Sequence, residues 1–63
     1  MKLETQEAIQ SLHYRIGKRI ESAKMAQEDT ADVLQKVMLA GKIKAYSEIK
    51  CLIQDRYGRK VEL

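Results

Sequence analysis

Apolar and polar residues alternate with helical spacing along most of the chain. From about residue 5 to about residue 27, apolar side chains recur every three or four positions, which places them on one stripe of an α-helix. Thr5 is expected to cap this helix, with Glu7 in its first turn. The stripe consists of Ile9, Leu12, Ile16, Ile20 and Ala23.

A second helix is predicted from about residue 30 to about residue 57. The polar stretch 27–32 precedes it, with a loop expected near 27–30 and with Asp29 and Thr30 as candidate N-caps. Gly58 is a natural end for this helix, so residues 59–63 are expected to form a loose tail. The stripe that should close against the first helix is Leu34, Val37, Met38, Gly41, Ala45, Ile49 and Leu52.

The second helix also carries another apolar row. Its positions are spaced by four and three residues in turn, a heptad pattern that Lys50 alone interrupts. One partner helix cannot cover two rows, so this row is predicted to pack on another copy of the chain and to pair hairpins into a helical bundle. Scattered surface apolar residues are the alternative. The row is Leu39, Ile43, Tyr46, Lys50, Ile53 and Tyr57.

The two helical segments could also form one continuous helix, because residues 27–30 contain neither glycine nor proline. A helix of about 50 residues would be roughly 75 Å long. The glycines favour an antiparallel hairpin instead, since a fold at residues 28–29 brings Gly17 level with Gly41. Each glycine inside a helix costs about 1 kcal/mol of stability relative to alanine. A close approach of the two backbones would be a structural reason for both glycines. The prediction is a single all-α domain over residues 1–63.

Length and cysteine content indicate how so small a chain is stabilised. Chains of about 60 residues bury only about 60% of their unfolded surface and often need disulfides, metals or oligomerisation. Cys51 is the only cysteine, and one histidine with one cysteine cannot supply four zinc ligands. Self-association is therefore the expected support, with no metal and no cofactor.

The longest unbroken apolar run, residues 37–40, is far shorter than the roughly 20 residues of a membrane span. The beginning of the chain has no apolar run of the signal-peptide kind. These features predict a cytoplasmic protein without membrane association. A single cysteine agrees with a reducing compartment.

The net charge of +3 is spread evenly, with five basic and four acidic side chains in residues 1–28 and again in residues 29–56. Domains that bind nucleic acid usually show a clustered basic face. Binding of an anion or of nucleic acid is therefore kept as an alternative, and a solvated helix surface is the simpler interpretation. The candidate contacts are Tyr14, Arg15, Lys18 and Arg19 on the first helix, with Arg56, Arg59 and Lys60 at the end of the second.

Residues with catalytic potential form no recognisable motif. The chain has no glycine-rich phosphate loop and no HExxH sequence. His13 is interpreted as a residue at the edge of the core, and Cys51 as a small side chain on a third face. The sequence predicts a non-enzymatic, self-associating helical protein that regulates or inhibits another macromolecule. A protein is the first candidate for that target, as for accessory factors of phages or mobile elements. Nucleic-acid binding is the alternative, and an anionic ligand such as a nucleotide held between subunits comes third.

Overall fold

The computed structural model describes residues 2–63 and shows two packed α-helices in that range, with no strand. The first helix, α1, is Leu3–Asp29, and the second, α2, is Val33–Val61. They lie antiparallel, and the molecule measures 45 × 15 × 12 Å. A continuous helix of the same residues would be far longer, since each residue advances a helix by about 1.5 Å. The predictions of an all-α chain and of a helical hairpin are confirmed.

The turn between the helices lies at residues 30–32, slightly later than the predicted loop. Asp32 is the N-cap of α2, and its Oδ1 accepts hydrogen bonds from the backbone N–H groups of Leu34 at 2.9 Å and Gln35 at 3.5 Å. Thr30 acts inside the turn, where its Oγ1 accepts the N–H of Asp32 at 3.2 Å. The candidate caps Asp29 and Thr30 were therefore wrong, because Asp32 is the residue that satisfies the free N–H groups.

The beginning of α1 also differs from the prediction. The helix starts at Leu3, with Lys2 in the N-cap position and no side-chain cap. The backbone N–H of Gln6 donates to the Lys2 carbonyl at 3.0 Å. Thr5, the predicted cap, lies inside the first turn.

The end of the chain is ordered by contact with α1, so the expectation of a loose tail at residues 59–63 is corrected. Helix α2 continues through Gly58 to Val61, which is only 2% exposed. The Gln10 side chain donates to the Val61 carbonyl at 2.7 Å. Glu62 then adopts a left-handed conformation with φ 53°, and the N–H of Leu63 donates to the Gly58 carbonyl at 3.2 Å. This pairing is the long hydrogen bond of a Schellman ending.

Both helices contribute a heptad row to the hairpin contact. The residues in these rows are buried or half-buried, and the spacing of three and four is that of a coiled coil. The buried members, 2% to 9% exposed, are Ile16, Ile20, Ala23 and Val61. The row of α1 is Gln6, Ile9, His13, Ile16, Ile20, Ala23 and Gln27. The row of α2, called the inner row, is Leu39, Ile43, Tyr46, Lys50, Ile53 and Tyr57, and Val61 extends it.

The inner row is the one predicted to face another copy of the chain, so the two faces of α2 are exchanged relative to the prediction. Leu39 and Tyr46 line a depression with Ala23 of α1, and Lys50 reaches over Gly17. A Cβ built on Gly41 meets nothing within 4 Å, so the predicted pairing of the two glycines is wrong.

The physical reason for the exchange is side-chain size. The inner row offers leucine, isoleucine and tyrosine, whereas the predicted stripe is interrupted by Gly41 and Ala45. Burial stabilises by roughly 25 cal/mol per Å² of apolar surface, so α1 packs on the row with more area. Leu12 and Ala45, members of the two stripes predicted to close on each other, are also outside the contact, since Leu12 is 50% exposed and Ala45 is exposed.

Candidate interaction surfaces

Helix α2 presents an apolar strip to solvent on the side that α1 leaves uncovered. We call this strip the outer row; its members follow one another at spacings of four and three residues. The large side chains in it are 44% to 69% exposed. Val37, beside the strip, is 64% exposed. The outer row is Leu34, Met38, Gly41, Ala45, Ile49 and Leu52.

The residues first assigned to a subunit interface therefore lie inside the hairpin. All six members of the inner row are half-buried. Lys50, the polar member, places its Nζ 3.6 Å from the Cβ position of Gly17 and lines an open groove with His13 and Tyr14. The lysine stem can therefore cover apolar surface between the helices while its charge extends to the rim.

The outward surface of α1 carries one of the two predicted basic groups. Tyr14, Arg15, Lys18 and Arg19 are all exposed. The Lys18 ammonium lies 5.5 Å from the centre of the Tyr14 ring and 3.4 Å from a carboxylate oxygen of Glu21. The hydrogen bond to Glu21 raises the pKa of Lys18 above its ordinary value of 10.5, with smaller electrostatic contributions from the same carboxylate and from Tyr14.

The second predicted basic group lies at the far end of α2. Arg56, Arg59 and Lys60 line one shallow depression together with Asp55. The contact of Gln10 with the Val61 carbonyl places this end beside the N-terminal part of α1. Of the first group, Tyr14 and Lys18 line one depression and Arg19 lines another, and neither of these includes Arg56, Arg59 or Lys60. One hairpin therefore does not join them into a single anion site.

His13 and Cys51 occupy different surroundings. His13 is half-buried in the α1 row, and it shares a groove with Gly17 and Lys50. Its Nε2 is buried and has no hydrogen-bond partner among the described residues. Cys51 is exposed and lies beside Ser47 on the opposite side of α2. The prediction of His13 as an edge residue of the core agrees with this position.

Within residues 2–63, histidine, cysteine and carboxylate side chains form no cluster of three that could hold a metal ion. Neither helix, over the same residues, combines the length and apolar character needed to cross a bilayer. Comparisons with known protein families, with curated proteins and with solved structures find no match to this chain.

Sequence reasoning missed the outer row as the free surface and the anchored end at Val61. The signal for the first was the size of the side chains in the two rows. The signal for the second was the continuation of the inner row, since Val61 follows Tyr57 by four residues.

Proposed function

We propose that the chain is a small non-enzymatic helical protein that self-associates and regulates or inhibits another macromolecule, most directly a protein. The observation that carries the proposal is that more large apolar side chains are exposed than buried. Ten large apolar or aromatic side chains of the described residues are at least 44% exposed, and four residues are buried. Large contiguous apolar patches on a small protein mark surfaces for other chains.

We assign self-association and target binding to two different surfaces. The outer row of α2 supports self-association, because its exposed side chains are almost entirely apolar. The outward surface of α1 supports binding of a target protein, because it combines Tyr14 and Met25, 65% and 64% exposed, with Arg15 and Arg19. Tyrosine, methionine and arginine are the residue types enriched at protein interfaces. The basic side chains favour a target with an acidic surface.

Nucleic acid is the second candidate for the same α1 surface. Arginine and lysine would neutralise phosphates there, and the exposed Tyr14 ring would stack on a base. The contacts of the Lys18 ammonium with Glu21 and with the Tyr14 ring reduce what it offers to phosphate. This observation favours the protein target. A nucleotide held between subunits would need the basic groups of two copies to meet.

The test is retention of partners from a cell lysate on immobilised protein, with and without nuclease. The informative variant is Tyr14→Ala combined with Met25→Ala. The matched control is Ser11→Ala with Ser22→Ala, on the exposed side of the same helix. A discrete protein should be retained after nuclease treatment, retained by the control and lost with the variant.

Two outcomes would overturn the proposal. Retention of nucleic acid alone, with binding that falls steeply as salt rises, would assign the α1 surface to phosphate recognition. Retention of a small molecule that absorbs like a nucleobase would assign the protein to ligand sequestration.

A further inference from the structure

We infer that the outer row of α2 is covered by the outer row of a second copy, packed antiparallel about a two-fold axis near residue 43. This inference rests on the self-association in the proposed function and specifies its geometry. It makes α2 the inner helix of a four-helix bundle, with α1 of each copy outside.

The exposed area of the hairpin is the first support. A folded monomer of 7.3 kDa is expected to expose about 4,200 Å². The hairpin exposes 5197 Å², which is about 1,000 Å² more. A partner in a standard protein interface contributes about 800 Å². The excess is therefore of the size that one further chain would cover.

The order of side-chain sizes along the outer row identifies a second copy as the occupant. In a two-fold interface, if one position meets another, the second must meet the first on the other copy. The row reads nearly the same from both ends: leucines at the ends, Met38 and Ile49 inside them, and Gly41 and Ala45 in the middle. An antiparallel copy brings Leu34 to Leu52 and Gly41 to Ala45. The small residues then let the two backbones approach most closely at the axis.

Charge supports the antiparallel direction over the parallel one. The turn end of the hairpin carries Glu28, Asp29 and Asp32, whereas the far end of α2 carries Arg56 and Arg59 with a single acid, Asp55, beside them. An axis near residue 43 places positions 27–32 of one copy level with positions 54–59 of the other, which hold Arg56, Arg59 and Asp55. Opposite charges then lie side by side, whereas a parallel pair would bring like charges together.

Gly41→Leu is the sharpest variant, because a Cβ at Gly41 meets nothing within 4 Å in the isolated hairpin. Leucine is a better helix former than glycine, so the hairpin itself should gain stability. At the axis, by contrast, leucine would hold the backbones apart. The control is Val33→Leu, which enlarges a side chain that is 74% exposed and outside the outer row.

Sedimentation equilibrium should give a particle of twice 7.3 kDa for the natural chain and for Val33→Leu. Measurement up to roughly 100 μM is adequate, since interfaces of this size dissociate in the micromolar range or below. For Gly41→Leu we expect the dissociation constant of the dimer to rise at least about tenfold. Circular dichroism should show that the variant is still a folded helix. A monomeric natural chain, or a dimer that Gly41→Leu leaves unchanged, overturns the inference.

The direction of packing can be determined from the distance between spin labels attached to Cys51 in the two copies. Cys51 is exposed and lies outside the outer row. An antiparallel pair about residue 43 separates the two labels by roughly 24 Å along the helices, to which the distance between helices adds. A parallel pair would bring them within about 20 Å, and such a short distance overturns the antiparallel arrangement. A monomer would refute the assembly without affecting binding by the α1 surface. A dimer that retains no target would refute only the proposed regulation.

Discussion

Val61 offers a direct test of whether the end of the chain belongs to the fold. Its side chain is 2% exposed, and Val61→Ala removes two methyl groups from that contact. At about 0.8 kcal/mol for each buried carbon, the loss is roughly 1.6 kcal/mol, and a cavity adds to it. The better helix propensity of alanine returns about 0.5 kcal/mol. We expect a net loss of about 1–2 kcal/mol in the free energy of unfolding.

Val33→Ala is the matched control, because Val33 begins the same helix and is 74% exposed. Its effect should stay within about 0.5 kcal/mol. Thermal unfolding followed by far-UV circular dichroism should show Val61→Ala melting roughly 5–15 °C below the natural chain. Both variants must be compared at one protein concentration, because the proposed self-association would shift the melting temperature. Equal, small effects of the two substitutions would mean that residues 59–63 are a loose tail after all.

Three further measurements probe other parts of the hairpin. Asp32→Ala should lower the free energy of unfolding by about 1 kcal/mol in urea, whereas Asp29→Ala should not; equal effects would contradict the assigned cap. Gly17→Ala should stabilise by up to about 1 kcal/mol, since the nearest side-chain atom would lie 3.6 Å from the new Cβ, and a clear loss of stability would refute this packing. Glu21→Gln should lower the pKa of Lys18, followed by NMR titration. Because that pKa is raised in the fold, the small stabilisation is present below pH 10.5 and is lost as the pH rises through the folded value, and an unchanged Lys18 titration would refute the ion pair.

The helices and the hairpin could be predicted from the sequence because they depend on local signals. The three- and four-residue spacing is strong in both segments, and the polar stretch 27–32 marks the reversal within a few residues. The position of the turn was harder, because Asp29, Thr30 and Asp32 are all good capping residues. Geometry decides among them: in the structure, the Asp32 carboxylate accepts two N–H groups of α2.

The face of α2 that meets α1 could not be read from periodicity. The outer row from Leu34 to Leu52 and the inner row from Leu39 to Tyr57 each cover 18 residues in five steps. Both therefore advance by the 3.6 residues of a helical turn and fit a helix equally well. Only the apolar area of the two rows distinguishes them, and the inner row has more. The outer row, and with it the candidate surface for self-association, follows from that difference.

Gly17 and Lys50 explain why the glycines misled the prediction. Two glycines in facing helices suggest one shared point of close approach, but the two have separate surroundings in the hairpin. At Gly17 the Nζ of Lys50, the polar member of an otherwise apolar row, lies 3.6 Å from the Cβ position, an ordinary van der Waals distance that alanine would also allow. The lysine can then bury its stem between the helices while its ammonium group reaches the surface. Among residues 2–63 Gly41 has no such neighbour, so the antiparallel second copy would supply a use for its small size outside the hairpin.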